Sequence, residues 1–206
     1  MKIYNYINLI ILHVCIGIGV YFFKPLSKVY FLAILIFCLY KILSTSTKNR
    51  YVYVLISCAY VVGSEVFLRM TGGNFLYEAS KYFIILFLLL GMILSDGINK
   101  KAYIYIIYLL VLIPGIIVAS TTLNYDTNIR KAVAFNLSGP FCLGVAALYC
   151  YGRKVNIKNL QSILLATILP LLTTTTYLFL YTPSIKSVLS GTGSNFAASG
   201  GFGPNQ

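Results

Sequence analysis

Two carboxylates and two cations crowd one short stretch of this chain, GSEVFLRMTGGNFLYEASKYF at 63–83. Glu65 and Arg69 stand four residues apart, a spacing that puts them on one helix face. Past Gly72-Gly73, Glu78 and Lys81 stand three apart at the start of the next apolar run. The chain has four acidic residues in all, so half of them gather around one turn. Such an arrangement can do one of two things. It can close two helix-end ion pairs that set the turn, or it can form a polar cup in which Arg69 or Lys81 grips an anion while the glutamates hold the cations in place. Ionisable groups at membrane depth are costly and face a bundle interior or a watery cavity.

A second constellation lies in NYDTNIRKAVAFNLSGP at 124–140, where Asp126, Arg130 and Lys131 precede an apolar run. A guanidinium presents a planar donor fork that matches phosphate oxygens. Cations at a helix start oppose the helix dipole, which favours anions there, and that mismatch points toward ligand binding. Asn136-Leu137-Ser138 fits a glycosylation acceptor pattern, but it falls inside the apolar run and is set aside.

Other chemistries find little support. His13 is the only histidine and lies in an apolar run with no acidic neighbour and no serine elbow, which argues against catalysis by it. Five cysteines (Cys15, Cys38, Cys58, Cys142, Cys150) show no CxxC or Cys/His spacing, so neither a metal site nor a disulfide framework is indicated. They read as small buried hydrophobes. The closing SGTGSNFAASGGFGPNQ (190–206) holds neither GxxxxGK[ST] nor GxGxxG after a strand, so a nucleotide loop is excluded.

The elements that position these groups follow from composition. Hydrophobic residues are 59% of the 206 and charged ones 10%, far below the roughly one quarter charged that a water-soluble surface needs. The expected fold is all-α, a polytopic transmembrane helix bundle of about seven spans, within a single domain over 1–206. The spans are placed at 5–23, 28–43, 51–69, 79–95, 102–119, 132–151 and 160–181, with 182–206 as a loop. Irregular backbone cannot face lipid, and continuous runs such as YFIILFLLLGMIL exclude the alternation of a membrane barrel. The first run lacks an AxA-type cleavage site and reads as an uncleaved helix. Pro114 and Pro170 mark expected kinks. Thr173 to Thr176 either bond carbonyls one turn back or line a ligand path. Tyrosines gather near span ends (Tyr4, Tyr6, Tyr51, Tyr53, Tyr103, Tyr105, Tyr149, Tyr151), as expected of rings with a polar tip at the headgroups.

The formal charge is +12, from 16 Lys and Arg against 4 Asp and Glu. The cations sit singly or in pairs between apolar runs, which argues against nucleic acid and for interfacial anchoring. With a cytoplasmic N-terminus, nine lie inside (Lys2, Lys41, Lys48, Arg50, Lys100, Lys101, Arg153, Lys154, Lys158). Seven lie outside (Lys24, Lys28, Arg69, Lys81, Arg130, Lys131, Lys186). So basic an outer face exceeds what orientation requires, and the site is expected there.

The order EVFLRMTGGNFLYEASKYF, NIRKAVAFNLSGP and GTGSNFAASGGFGPNQ resembles the amino-terminal half of the bacterial O-antigen ligase and O-antigen polymerase family, over about residues 60–206. The resemblance implies that the chain is the first part of a larger membrane glycosyltransferase, with Pro204 opening a further helix and the general base outside this sequence. It implies glycan transfer from polyprenyl diphosphate to an acceptor saccharide or lipid A-core. The setting would be the periplasmic face of the bacterial inner membrane, with no cofactor or metal. Arg130, then Arg69, Lys81 and Lys131, would bind the diphosphate, supported by Glu65, Glu78 and Asn205. Taken alone, the chain is expected to be inactive. The alternative is a transporter or flippase of a lipid-linked anionic saccharide.

Overall fold

The computed structural model of the chain describes residues 3–76, 78–95, 97–122 and 129–181; over 3–5, 119–122 and 129–135 it describes backbone alone. Among the described residues seven α-helices follow one another: α1 (Ile3–Phe22), α2 (Leu26–Ser44), α3 (Thr47–Thr71), α4 (Ala79–Leu94), α5 (Tyr103–Thr122), α6 (Ile129–Cys150) and α7 (Ile157–Tyr181). One 3₁₀ turn, Lys100–Ala102, leads into α5. No strand occurs among the described residues. Among the described residues four stretches are long and apolar enough to cross a bilayer: Leu26–Ser44, Thr47–Thr71, Lys100–Val118 and Ile157–Tyr181. Shorter apolar helices cover Tyr6–Phe22, Ala79–Leu94 and Asn136–Cys150. The architecture is that of a helical membrane protein.

Several helices start earlier than the sequence expectation. α2, α3, α6 and α7 begin at 26, 47, 129 and 157, against expected starts of 28, 51, 132 and 160. The reason is physical: an apolar run marks the part of a helix that contacts hydrocarbon, whereas the helix continues into the headgroup layer. Thr47, Lys48, Asn49 and Arg50 form such a polar first turn.

The chain divides into two compact units, each described by itself. Unit 1 comprises Met1–Phe37, Ala59–Tyr77 and Leu160–Gln206; unit 2 comprises Cys38–Cys58 and Glu78–Asn159. In unit 1, α7 packs on α1 and α3 through small residues. A Cβ at Gly63 would lie 2.5 Å from the Thr167 carbonyl oxygen, so only glycine lets the two backbones come this close. Phe31, Val61, Phe67 and Leu68 are fully buried in this unit, and the Phe67 and Tyr177 rings meet edge to face with centroids 5.8 Å apart. In unit 2, α4 approaches α6 where Gly91 abuts the Tyr149 ring, and Phe87 and Leu88 complete the buried centre.

Tyr149 corrects one expectation. Its ring is 2% exposed and makes part of the core, because it fills the space that Gly91 leaves open. Tyr103, at 61% exposed, does behave as a span-end ring. The cysteines divide in the same way: Cys38 and Cys58 are buried, whereas Cys15 and Cys150 are exposed on apolar helix faces. A thiol is apolar enough to sit against lipid, so burial is not obligatory.

Candidate functional site

α3 ends where its sequence dictates. Gly72 adopts a positive φ of 69°, the left-handed conformation that glycine tolerates best. The Gly73 N–H then donates to the Leu68 carbonyl (2.8 Å) and the Gly72 N–H to the Arg69 carbonyl (3.3 Å). This is the double closure of a Schellman cap. It stops the helix just past Glu65 and Arg69, whose Nη2–Oε1 distance is 2.6 Å with both side chains about one quarter exposed. The i,i+4 pair that the spacing implied is therefore formed. It is electrically neutral as a unit.

The second pair is more deeply set. Glu78 occupies the N-cap of α4 without capping it through its side chain, so its carboxylate still lies at the helix end whose dipole favours negative charge. It is 6% exposed. Lys81 forms an ion pair with its Oε2. The Ser138 hydroxyl, from α6, donates to the same Oε2 at 2.9 Å, and the Lys81 ammonium donates to Ser138 Oγ at 3.2 Å. Three groups on two helices thus close a ring of charge-assisted hydrogen bonds inside unit 2. Ser138 was set aside in the sequence as part of a glycosylation pattern. Its burial within α6 agrees with that rejection, but its role as the third member had no sequence signal beyond a lone hydroxyl in an apolar run.

Arg130 and Lys131 lie in the first turn of α6, which carries no acidic residue. Only their backbone is described, and Asp126 and Asn205 fall outside the described residues. The rise of 1.5 Å per residue puts Arg130 about 12 Å along α6 from Ser138. Of the proposed anion-binding residues, the structure pairs Arg69 with Glu65 and Lys81 with Glu78. The two pairs belong to different units.

A third polar group was not anticipated. His13 is 3% exposed. Its Nδ1 lies 2.8 Å from the Leu9 carbonyl oxygen, and its Nε2 lies 2.8 Å from the Tyr60 hydroxyl, which itself meets the Tyr30 hydroxyl at 2.9 Å. A carbonyl can only accept, so Nδ1 carries the proton and Nε2 accepts from Tyr60. The ring is a satisfied structural group joining α1, α3 and α2 within unit 1. The threonine run resolves similarly. Thr174, Thr175 and Thr176 donate to the carbonyls of Pro170, Leu171 and Leu172, while Thr173 donates across to the His13 carbonyl on α1 at 3.2 Å. Their hydroxyls serve the helices, which removes the main feature suggesting a lined path.

Fold and site together define a polytopic helical membrane protein with a buried Glu–Ser–Lys cluster at a helix end. Comparison with protein-family models, curated proteins and solved structures found no match for this chain.

Proposed function

We propose that this chain belongs to a bacterial inner-membrane glycosyltransferase of the O-antigen ligase or polymerase kind, with its site on the periplasmic side. It would transfer glycan from polyprenyl diphosphate to an acceptor saccharide or lipid A-core. The observation that supports this reading best is the Glu78–Lys81–Ser138 cluster, whose Ser138 belongs to the helix with Arg130 and Lys131 in its first turn. Each described ion pair is neutral, so net positive charge for a diphosphate comes from that first turn. Arg130 is accordingly the principal anion-binding residue, with Lys131 beside it. Lys81, in the same unit, is pre-positioned by Glu78 and adds a donor to the departing diphosphate. Cations so placed stabilise charge that develops on the leaving group. No residue of this chain is assigned as general base.

The test uses cells that rely on the full-length gene product for surface polysaccharide. Arg130→Ala should lower attached or polymerised polysaccharide on gels at least tenfold while membrane abundance on immunoblots stays unchanged. Normal polysaccharide in that variant overturns the assignment.

A further inference from the structure

The end of unit 2 opposite Glu78 gathers half of the chain's 16 lysines and arginines. α4 runs from Ala79, just after its N-cap Glu78, to Leu94, so Glu78 and Leu94 lie about 24 Å apart. Arg50 ties three backbone segments at the far end. Its Nε donates to Ile42 O (3.0 Å), its Nη2 to Thr45 O (2.8 Å) and its Nη1 to Leu94 O. Arg153 does the same on the other side, donating to Tyr149 O (2.7 Å) and Gly97 O (2.9 Å) with its guanidinium 4.2 Å above the Tyr149 ring. Asn159 Nδ2 donates to the Tyr51 hydroxyl at 3.3 Å, bringing the start of α7 to the start of α3. Two arginines and one asparagine therefore gather the ends of α2 to α6 and the first turn of α7 into one surface.

Around them stand Lys48, Lys100, Lys101 and Lys154, all exposed; Asp96, between Leu94 and Gly97 in sequence, lies outside the described residues. Lys41 and Lys158 flank them. The same level exposes apolar side chains: Tyr40 at 63%, Tyr103 at 61% and Ile157 at 74%. A cation next to a hydrocarbon-facing side chain sits at headgroup depth, within reach of lipid phosphates.

We propose that this end of unit 2 is a binding surface for acidic phospholipid headgroups. The four lysines supply the charge, and the arginines, whose donors are engaged by carbonyls, supply the frame. The assignment is separate from the glycan-transfer reading and concerns the opposite end of α4. A lysine near an anionic headgroup favours it about fivefold over a zwitterionic one.

The experiment places the purified full-length protein in phosphatidylcholine vesicles containing about 30% phosphatidylglycerol. Spin-labelled probes of both lipids report the fraction immobilised by the protein. Parent protein should prefer phosphatidylglycerol about fivefold. The quadruple Lys48→Gln, Lys100→Gln, Lys101→Gln, Lys154→Gln variant should fall below twofold, and the matching Lys→Arg quadruple should keep the preference. High salt should erase the preference in the parent, an arm that requires no variant to fold. Equal immobilisation of both lipids by the parent, the result for charges that only set orientation, overturns the proposal. So does erasure by 10 mM inorganic phosphate, on the order of a cellular level, but not by chloride of equal ionic strength; the ligand would then be free phosphate.

Discussion

Replacing Lys81 by methionine keeps the length of the side chain and removes its charge, which isolates the electrostatic part of the Glu78–Lys81–Ser138 ring. In the parent, Glu78 Oε2 accepts from both Lys81 and Ser138 while its side chain is 7% exposed. The variant leaves that carboxylate buried without its cationic partner, while the Ser138 hydroxyl still donates to it. Breaking a buried pair from one side costs about 3–5 kcal/mol. Lys81 is 24% exposed, so solvent screens part of the interaction, and a loss of about 2–4 kcal/mol is expected. Glu78→Gln should cost less, because the freed ammonium can extend toward water along its flexible stem. The double variant should then cost less than the sum, with a coupling of about 1–3 kcal/mol. The assay is unfolding of the purified protein in mixed micelles by SDS, followed by far-ultraviolet circular dichroism, since the chain has no tryptophan. Additive single effects, or a Lys81→Met variant as stable as the parent, would refute the ring as an energetic unit.

Three further outcomes follow from the geometry. Gly63→Ala puts a methyl 2.5 Å from the Thr167 carbonyl oxygen, so α3 and α7 must part; a loss of about 1–3 kcal/mol in the same unfolding assay is expected. Tyr60→Phe removes the hydroxyl between His13 and Tyr30 and should destabilise by about 1–3 kcal/mol, with a changed His13 ring-nitrogen shift by NMR. Arg153→Gln removes two carbonyl contacts and the ring contact. Amide exchange around 97–102 should rise at least about tenfold, with the middle of α7 unchanged.

Much of the fold was legible because the solvent is written in the composition. Continuous apolar runs in a chain this poor in charge admit helices and little else, and the described residues over those runs are helical, with four stretches long and apolar enough to cross a bilayer. Glu65–Arg69 was legible for the same kind of reason, since helical periodicity alone fixes an i,i+4 neighbour. Partners distant in sequence were not. Glu78 and Ser138 lie 60 residues apart, and His13 and Tyr60 lie 47 apart; no local period connects such residues, and each is unremarkable in its own run. Tyr149 was misplaced for a related reason. Position near a span end suggested the interface, whereas the gap at Gly91, 58 positions earlier, draws the ring inward. The cations between runs were visible singly, yet their gathering by Arg50 and Arg153 depends on carbonyls that carry no signature in the sequence.

Arg50 has a consequence for how the chain is made. Two of its carbonyl acceptors, Ile42 and Thr45, precede it and exist when it leaves the ribosome, but Leu94 comes 44 residues later. At about 5–20 residues per second, that is roughly 2–9 s of synthesis. During this interval the α2–α3 pair carries a guanidinium whose Nη1 is still turned to water, so it rests at the aqueous boundary until the fourth helix is delivered. Translation itself thereby sets the order in which this corner of the protein is sealed.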